Sequence, residues 1–234
     1  MIRLLVTGGT GLVGGNLCHM PSTNMDVCST FLTSHPSLKG IRWHRVDITQ
    51  PRAVQRLFKT FRPDVVVHTA AMADIDACER NREKAWAVNV TGTENVASQA
   101  EATGARLIHI STSNVFDGSR GRYAEEDEPA PINFYGRTKL ESERIALSIP
   151  NALVARISLV LGYPRTSGRS ALRKIDESLR AGRSVFLPER EIRTPIDVWT
   201  LCSSLLALAQ MGVESIIHLA GSCLLYTSDA ADEG

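Results

Sequence analysis

The first twenty residues, 1–20, read MIRLLVTGGTGLVGGNLCHM and decide the fold class. A short apolar run leads into a turn in which Gly8, Gly11 and Gly14 recur at every third position, and a helical pattern over 12–20 follows at once. Glycine lets the main chain turn sharply and approach a phosphate, and the helix start offers unpaired N–H groups at the positive end of its dipole. The stretch therefore predicts a strand–turn–helix unit that binds a dinucleotide.

Strands and helices alternate along most of the chain. Apolar runs predict strands over 25–32, 41–46, 64–68, 107–111 and 152–158, and helical periodicity predicts helices over 53–61, 82–103 and 134–148. Short connections between them favour a parallel sheet covered on both faces, which is an α/β, doubly wound, Rossmann-like fold. We therefore expect residues 1–162 to form an NAD(P)-binding domain.

The pattern becomes looser after Gly162. It predicts helices over 169–181 and 197–210 and strands over 185–187 and 215–219. Residues 163–222 are expected to begin a small, truncated substrate lobe and to return to the Rossmann domain, with the C-terminal remainder missing. The last segment, 223–234, resembles a translated sequencing adapter, and we exclude it from the interpretation of the fold.

Composition excludes several classes of protein. With 234 residues, a net charge of +1 and 43% hydrophobic residues, the chain suits one globular core. No apolar run approaches the roughly 18 residues of a membrane span, and no basic excess suits nucleic acid. The amino terminus leaves no room for a signal peptide, and five scattered cysteines show no metal-binding spacing, so we expect a cytoplasmic protein without a metal site.

Tyr135 and Lys139 are four residues apart at the start of the predicted helix 134–148. This spacing places both side chains on one helical face. A phenol with an ordinary pKa of about 10 is protonated at neutral pH and is able to donate its proton to a ketone as hydride arrives. A nearby ammonium stabilises the phenolate, so we expect Lys139 to lower the pKa of Tyr135.

Three hydroxyl side chains, Ser111, Thr112 and Ser113, stand where the predicted strand 107–111 ends. Parallel sheets bind ligands at the carboxyl ends of their strands, and each of these hydroxyls could polarise a carbonyl oxygen. His68 and His109 lie in predicted buried strands, and we expect both to be core residues with satisfied nitrogens.

An acidic cluster follows the predicted strand 64–68, at Asp74, Asp76 and Glu79. Carboxylates are favoured in the first turn of a helix, where they face the positive end of its dipole. A helix start therefore explains the cluster better than a cation site does.

The glycine pattern and the Tyr–Lys pair resemble the extended short-chain dehydrogenase/reductase superfamily. Residues 107–143, which include VFDG, YAEED and PAPINFYG, resemble the dTDP-4-dehydrorhamnose reductase family within it. This resemblance implies reduction of a keto group on a nucleotide-activated sugar by NAD(P)H. It further implies that Thr112 orients the carbonyl, Tyr135 donates the proton and Lys139 holds the nicotinamide ribose. The same features are similar to the regulatory β subunit of methionine adenosyltransferase, so a non-catalytic NADP-binding regulatory subunit is the alternative.

The resemblance also implies a set of cofactor contacts in the turn, after the third strand and after the fourth. With Tyr135 and Lys139 they are Gly8, Thr10, Gly11, Leu12, Val13, Gly14, Asp47, Ile48, Ala70, Ala71 and Met72. Asp47 alone fits a strand-ending turn equally well. The second strand ends in FLTSH, 31–35, with no carboxylate to hold two ribose hydroxyls, which favours NADP(H) over NAD(H).

Substrate contacts are expected from Thr112, Ser113 and Arg193. Arg193 suits a substrate phosphate, although a surface arginine is the commoner outcome. Ser113 and Asn114 replace an Asp-Tyr pair of the family, and residues 158–162, SLVLG, lack two of its aromatics. These departures leave the sugar and nucleotide open. The dehydratases of the superfamily carry an Asp-Glu pair after the Thr, and Ser113-Asn114 cannot do its acid–base work, which argues against a 4,6-dehydratase. The expected partner is a nucleotide sugar, with a homodimer left open.

Overall fold

The computed structural model describes residues 1–20, 24–34, 36, 38–185 and 191–226. Its strands are β1 Ile2–Thr7, β2 Met25–Phe31, β3 Arg42–Arg45, β4 Val65–His68, β5 Arg106–Thr112, β6 Ala152–Ile157, β7 Val160–Leu161, β8 Ile192–Arg193, β9 Ile196–Asp197, β10 Ser215–Leu219 and β11 Leu225–Tyr226. Its helices are α1 Leu12–His19, α2 Pro51–Phe61, α3 Ile75–Arg80, α4 Arg82–Trp86, α5 Gly92–Thr103, α6 Phe134–Leu147, α7 Ala171–Arg180 and α8 Val198–Leu208.

Seven strands form one parallel sheet in the order β10-β6-β5-β4-β1-β2-β3. The chain moves from β1 to β2 on one side and later to β4 on the other, so the strand order reverses at β1. Parallel sheets of this kind bind ligands outside the carboxyl ends of the strands at such a reversal. The predicted fold class is confirmed, and the glycine-rich turn lies at this point.

Each face of the sheet is buried under helices. Leu5 packs with residues of α2 and α5, including Phe58 and Val96, on one face. The neighbouring Leu4 points to the opposite face and packs in a cluster that includes Leu201 of α8. Because successive strand residues point to opposite faces, both faces of β1 are apolar, as the continuous apolar run predicted.

Two features of the helices differ from the sequence-based expectation. α3 is an additional short helix, and the Asp74 side chain caps it by accepting a hydrogen bond from Ala77 N at 2.8 Å. The helix-start interpretation is thus confirmed for Asp74 and for Asp76 in the first turn, but not for Glu79, which lies in the last turn and accepts from Phe134 N at 2.6 Å. The predicted helix 82–103 is interrupted by a π-helical turn, Ala87–Thr91. Such turns are rare and frequent at functional sites.

The region beyond Gly162 contains α7, α8 and the short strands β8, β9 and β11. β8 pairs with β11, and β9 pairs with β7, which lies just before Gly162. The strand predicted over 185–187 falls mainly outside the described residues, as do residues 227–234. Leu225–Tyr226, inside the segment assigned to an adapter, pairs antiparallel with β8. The division into domains and the origin of this tail stay predictions.

Within the described ranges, none of the helices has both the length and the apolar character that crossing a bilayer requires.

Candidate active site

The turn between β1 and α1 requires glycine at two positions. Gly8 has φ +70°, and a Cβ there would lie 2.7 Å from Ala70 Cα. A Cβ on Gly14 would lie 2.5 Å from the Gly8 oxygen and 2.8 Å from Thr69 Oγ1. Side chains rarely adopt the first conformation, and real contacts are not as short as these. Gly8 and Gly14 therefore let the β1–α1 turn approach the loop that follows β4 closely.

The start of α1 suits a bound pyrophosphate. Gly11 is the N-cap and supplies no side-chain cap, and the first turn carries no acidic residue. The first N–H groups of a helix have no partner within the helix. Leu12 and Val13 therefore present N–H donors at the positive end of an eight-residue helix, which fits an anionic group.

Residues 163–168, here called the 163–168 segment, pack against this turn. Thr166 Oγ1 donates to the Thr10 oxygen at 2.8 Å, and Asn16 Nδ2 donates to the Tyr163 oxygen at 3.1 Å. A Cβ on Gly168 would lie 2.7 Å from the Thr10 oxygen. Sequence analysis missed these contacts because 156 residues separate Thr166 from Thr10.

The predicted adenine contacts, Asp47 and Ile48, have structural roles. Asp47 Oδ1 accepts from Thr49 N at 2.9 Å and from Thr49 Oγ1 at 2.8 Å. The Ile48 side chain is buried in the core under α2 and α5, and Asn95 Nδ2 donates to its oxygen at 2.9 Å. A contact with adenine would fall to the other Asp47 oxygen and to the main chain of Ile48, and it stays a prediction.

The loop containing Ala70, Ala71 and Met72 is held by Asn89 of the π turn. Asn89 Oδ1 accepts from Met72 N at 2.8 Å, and Asn89 Nδ2 donates to the Met72 oxygen at 3.0 Å. Asn89 Nδ2 also lies 3.0 Å from Thr138 Oγ1 of α6. This side chain therefore links the predicted cofactor loop to the helix that carries Tyr135. The signal was present in the AVNV stretch, 87–90, which sequence analysis did not assign to the site.

The carboxyl end of β2 bears on the choice of cofactor. Leu32 and Thr33 are exposed, and His35 lies outside the described residues. Arg45 pairs in register with Phe31, and its Nε donates to the Leu32 oxygen at 3.1 Å. A guanidinium therefore lies beside the strand end where a 2′-phosphate would be held. Sequence analysis missed Arg45 because its position depends on the β2–β3 register.

The three predicted catalytic residues lie on β5 and α6. Asn133 caps α6 by accepting from Gly136 N at 2.7 Å, which fixes the helix start one residue before Tyr135. Thr112, at the end of β5, lies close enough to the Tyr135 phenol to lower its pKa. Thr112 Oγ1 accepts from Asn114 N at 3.2 Å and from Asn114 Nδ2 at 3.0 Å, so its own proton is available for donation.

The other two hydroxyl candidates differ from Thr112. Ser111 donates to Glu143 in the interior, so its hydroxyl is engaged. Ser113 begins a 3₁₀ turn, Ser113–Val115, and is half-buried. Of the three, Thr112 is the one whose hydroxyl affects the pKa of Tyr135.

Burial sets the pKa values of the Tyr–Lys pair. Desolvation raises the pKa of Tyr135 to about 12, and the hydrogen bond from Thr112 only partly opposes it. The expectation that Lys139 lowers the pKa of this phenol is therefore wrong, because the buried phenolate is poorly solvated. Desolvation also lowers the pKa of Lys139 to about 7, against the charge of Glu143.

A buried ion pair supports the end of β5. Arg156 and Glu143 are 3% and 2% exposed, and their Nη2 and Oε2 atoms are 2.8 Å apart. The Arg156 guanidinium lies 5.1 Å from the centre of the Phe116 ring, in the VFDG stretch. Glu143 of α6 thus contacts Ser111, just before Thr112, directly, and it contacts Phe116, just after, through Arg156.

Arg193 lies in β8, and its Nε donates to Glu191 Oε1 at 2.7 Å. Glu191 therefore balances its charge. The proposed substrate contacts of Arg193 and Ser113 stay predictions.

The doubly wound sheet, the glycine-rich turn and the Thr112–Tyr135–Lys139 set define an extended short-chain dehydrogenase/reductase. Residues 2–233 match the RmlD substrate binding domain family. The chain belongs to this family, and the predicted enzyme class, an NAD(P)-dependent oxidoreductase, is confirmed at this level.

Three relatives indicate the range of the family. The probable low-salt glycan biosynthesis reductase Agl14 of Haloferax volcanii is 34% identical, over 97% of this chain and 77% of its own. The dTDP-4-dehydrorhamnose reductase of Mycobacterium tuberculosis is 36% identical, over 93% and 69%. Methionine adenosyltransferase 2 subunit beta of Pongo abelii is 34% identical, over 87% and 61%.

Solved structures share the fold. The hypothetical dTDP-4-dehydrorhamnose reductase of Sulfolobus tokodaii gives a TM-score of 0.87 at 31% identity, over 99% of this chain and 81% of its own. The dTDP-4-dehydrorhamnose reductase of Bacillus anthracis, solved with NADP, gives 0.85 at 24% identity, over 99% and 79%. At that identity the second likeness concerns the fold alone.

Proposed function

We propose that the chain reduces a keto group on a nucleotide-activated sugar with NADPH, in the manner of a dTDP-4-dehydrorhamnose reductase. The observation that carries the proposal is the placement of Thr112, at the carboxyl end of β5, next to the buried Tyr135 phenol of α6, with Lys139 one helical turn further on. The relatives from Haloferax volcanii and Mycobacterium tuberculosis, both named as reductases, support it.

NADPH, when bound, would supply the hydride. Tyr135 gives its proton to the carbonyl oxygen, and the Thr112 hydroxyl donates to the same oxygen and orients it. With a pKa raised to about 12, the phenol is protonated throughout the neutral range and is ready to act as an acid. Lys139, one helical turn from Tyr135, would hold the nicotinamide ribose.

The cofactor is held by the glycine-rich turn and by the loop over 70–72. The free N–H groups of Leu12 and Val13 receive the pyrophosphate. Arg45 receives the 2′-phosphate, which would make NADPH the preferred cofactor.

The substrate is a sugar nucleotide whose keto oxygen reaches Thr112 and Tyr135. Ser113 and Arg193 are the further proposed contacts. Ser113 and Asn114 supply no carboxylate for an acid–base pair, so reduction suits the site better than dehydration.

The test is NADPH oxidation with dTDP-4-keto-6-deoxysugars, comparing wild type with Tyr135→Phe. Loss of the proton donor should lower kcat by roughly 100-fold or more, the usual contribution of general acid catalysis. Affinity for NADPH should stay within about twofold, since the phenol ring remains. Tyr163→Phe, at a half-exposed ring, serves as the matched control and should leave kcat unchanged. Turnover that survives Tyr135→Phe would overturn the mechanism.

A regulatory subunit is the second candidate, because methionine adenosyltransferase 2 subunit beta is as similar as the reductases. That candidate predicts NADPH binding without turnover, together with a stable complex with a methionine adenosyltransferase catalytic subunit. Size-exclusion chromatography of the mixed proteins separates the two functions.

A further inference from the structure

His109 lies beneath the Tyr–Lys pair, on β5, and is fully buried. Its Nε2 atom is 2.9 Å from Lys139 Nζ and 2.9 Å from Ser142 Oγ. Its Nδ1 atom has no hydrogen-bond partner within the described part of the chain. The expectation of satisfied nitrogens is therefore wrong for His109. The same expectation holds for His68. Its Nδ1 atom lies 2.7 Å from Thr7 Oγ1, and its Nε2 atom lies 3.1 Å from Thr93 Oγ1.

The two contacts at Nε2 require different protonation states. Ser142 Oγ donates its single proton to the Lys139 main-chain oxygen at 2.7 Å, so towards His109 it can only accept. Accepting requires a proton on Nε2. A lysine ammonium has donors only, so its bond to His109 requires a bare Nε2. One neutral imidazole cannot satisfy both contacts at once.

The ammonium form of Lys139 therefore requires a bare Nε2, whereas a proton on Nε2 is compatible only with the neutral amine. With Nε2 bare, the proton sits on Nδ1, and Lys139 is held as an ammonium by one of its three N–H groups. With the proton on Nε2, the imidazole donates to Ser142 Oγ or to the lone pair of a neutral Lys139. Nothing else in the described residues competes for Nε2 at this distance.

We propose that His109 is a positioning residue whose tautomer is coupled to the charge of Lys139 and so controls how that lysine is presented to the cofactor ribose. In the ammonium state, His109 takes one N–H and leaves two for the ribose. In the amine state, that orientation is lost. The inference rests on the proposed function for its catalytic meaning, but the coupling itself is a property of the chain.

The surroundings allow His109 to remain neutral while Lys139 titrates. Glu143 of α6 faces Lys139 and favours the ammonium, while the His68 ring of β4 lies 5.4 Å from the His109 ring. Tyr135 is on the same face of α6 and stays protonated. Desolvation, with the charge of Lys139, lowers the pKa of His68 to about 3 and that of His109 well below its usual value. Lys139, with a pKa of about 7, is the group that changes charge near neutrality.

Two substitutions should move Lys139 in opposite directions. His109→Leu removes the acceptor of the ammonium, so the midpoint of Lys139 should fall by about one pH unit or more, as expected for a lost hydrogen bond to a charged group. Ser142→Ala removes the competing acceptor and frees Nε2, so the midpoint should rise. His109→Gln keeps an acceptor and should restore much of the wild-type midpoint.

The direct measurement is a ¹⁵N NMR titration of Lys139 Nζ in the cofactor-free chain, assigned by its disappearance in Lys139→Met. The second is the pH profile of kcat/KM for NADPH oxidation, whose basic limb should follow the same shifts. Identical Nζ midpoints in wild type, His109→Leu and Ser142→Ala would overturn the inference. If His109→Leu does not fold, Ser142→Ala and His109→Gln still decide it.

Failure of the proposed function gives a different pattern. Shifted Nζ midpoints in a chain without turnover would support the coupling and reject the reductase. Normal turnover with unshifted midpoints and an unshifted pH profile would reject the coupling and retain the reductase.

Discussion

Replacing Arg156 by methionine measures what the buried ion pair contributes. The Arg156 and Glu143 side chains are 3% and 2% exposed, with Nε–Oε1 at 3.0 Å and Nη2–Oε2 at 2.8 Å. Arg156→Met leaves the Glu143 carboxylate buried with Ser111 as its remaining side-chain donor among the described residues. Removing one partner of a buried pair costs about 3–5 kcal/mol of unfolding free energy. In a chain of this size that lowers the Tm by roughly 6–20 °C.

A matched control is an exposed ion pair on α6, the helix that carries Glu143. Arg144 and Glu141 are 3.1 Å apart but are 67% and 36% exposed. Arg144→Met should cost less than about 1 kcal/mol, because water screens the exposed charges.

The double variant Arg156→Met/Glu143→Met removes the uncompensated charge. It should recover roughly half of the loss, leaving about 1–3 kcal/mol for the unpaired Ser111 hydroxyl. Urea unfolding followed by circular dichroism gives all the values. A loss of unfolding free energy for Arg156→Met no larger than that for Arg144→Met would contradict a stabilising buried pair. So would a loss in the double variant equal to the sum of the losses in Arg156→Met and Glu143→Met.

Two further predictions concern charge. The pKa of Lys139 is lowered to about 7 in the folded chain. Between about pH 7 and 10 the unfolded chain therefore binds more protons at this lysine than the folded chain does. The unfolding free energy of wild type relative to Lys139→Met should rise over that interval. Urea unfolding at both ends checks this, with exposed Lys59→Met as the control, and a flat difference would contradict it. Arg45→Gln should weaken NADPH binding by about tenfold, the value of one charge-assisted bond, while NADH binding stays unchanged. Fluorescence titrations measure both, with exposed Arg52→Gln as the control, and an equal loss for the two cofactors would count against Arg45.

Local pattern predicted most of the fold. The strand expected over 215–219 is β10 as observed, and the other strands of the main sheet differ by one or two residues at their ends. The π turn could not be predicted from local pattern. Its Asn89 binds the main chain of Met72, which is 17 residues away in the sequence. α3 has only six residues, too few for a periodic signal.

The candidate site, too, has residues that local motifs predict and contacts that only the tertiary structure shows. Spacing and resemblance were enough to predict Thr112, Tyr135 and Lys139 as the catalytic set, because these residues follow local motifs, and their roles stay predictions. The direction of the Tyr135 pKa required knowing how deeply the phenol is buried. The bond between His109 and Lys139 crosses 30 residues from strand to helix, and no local pattern encodes it.

The contacts of Thr166 and Gly168 with the glycine-rich turn have a mechanical consequence. A ligand that pulls Thr10 towards its phosphates also strains the chain that leads into α7. We therefore expect changes of length in the 163–168 segment to alter nucleotide affinity, although this segment lies far from the glycine-rich turn in the sequence.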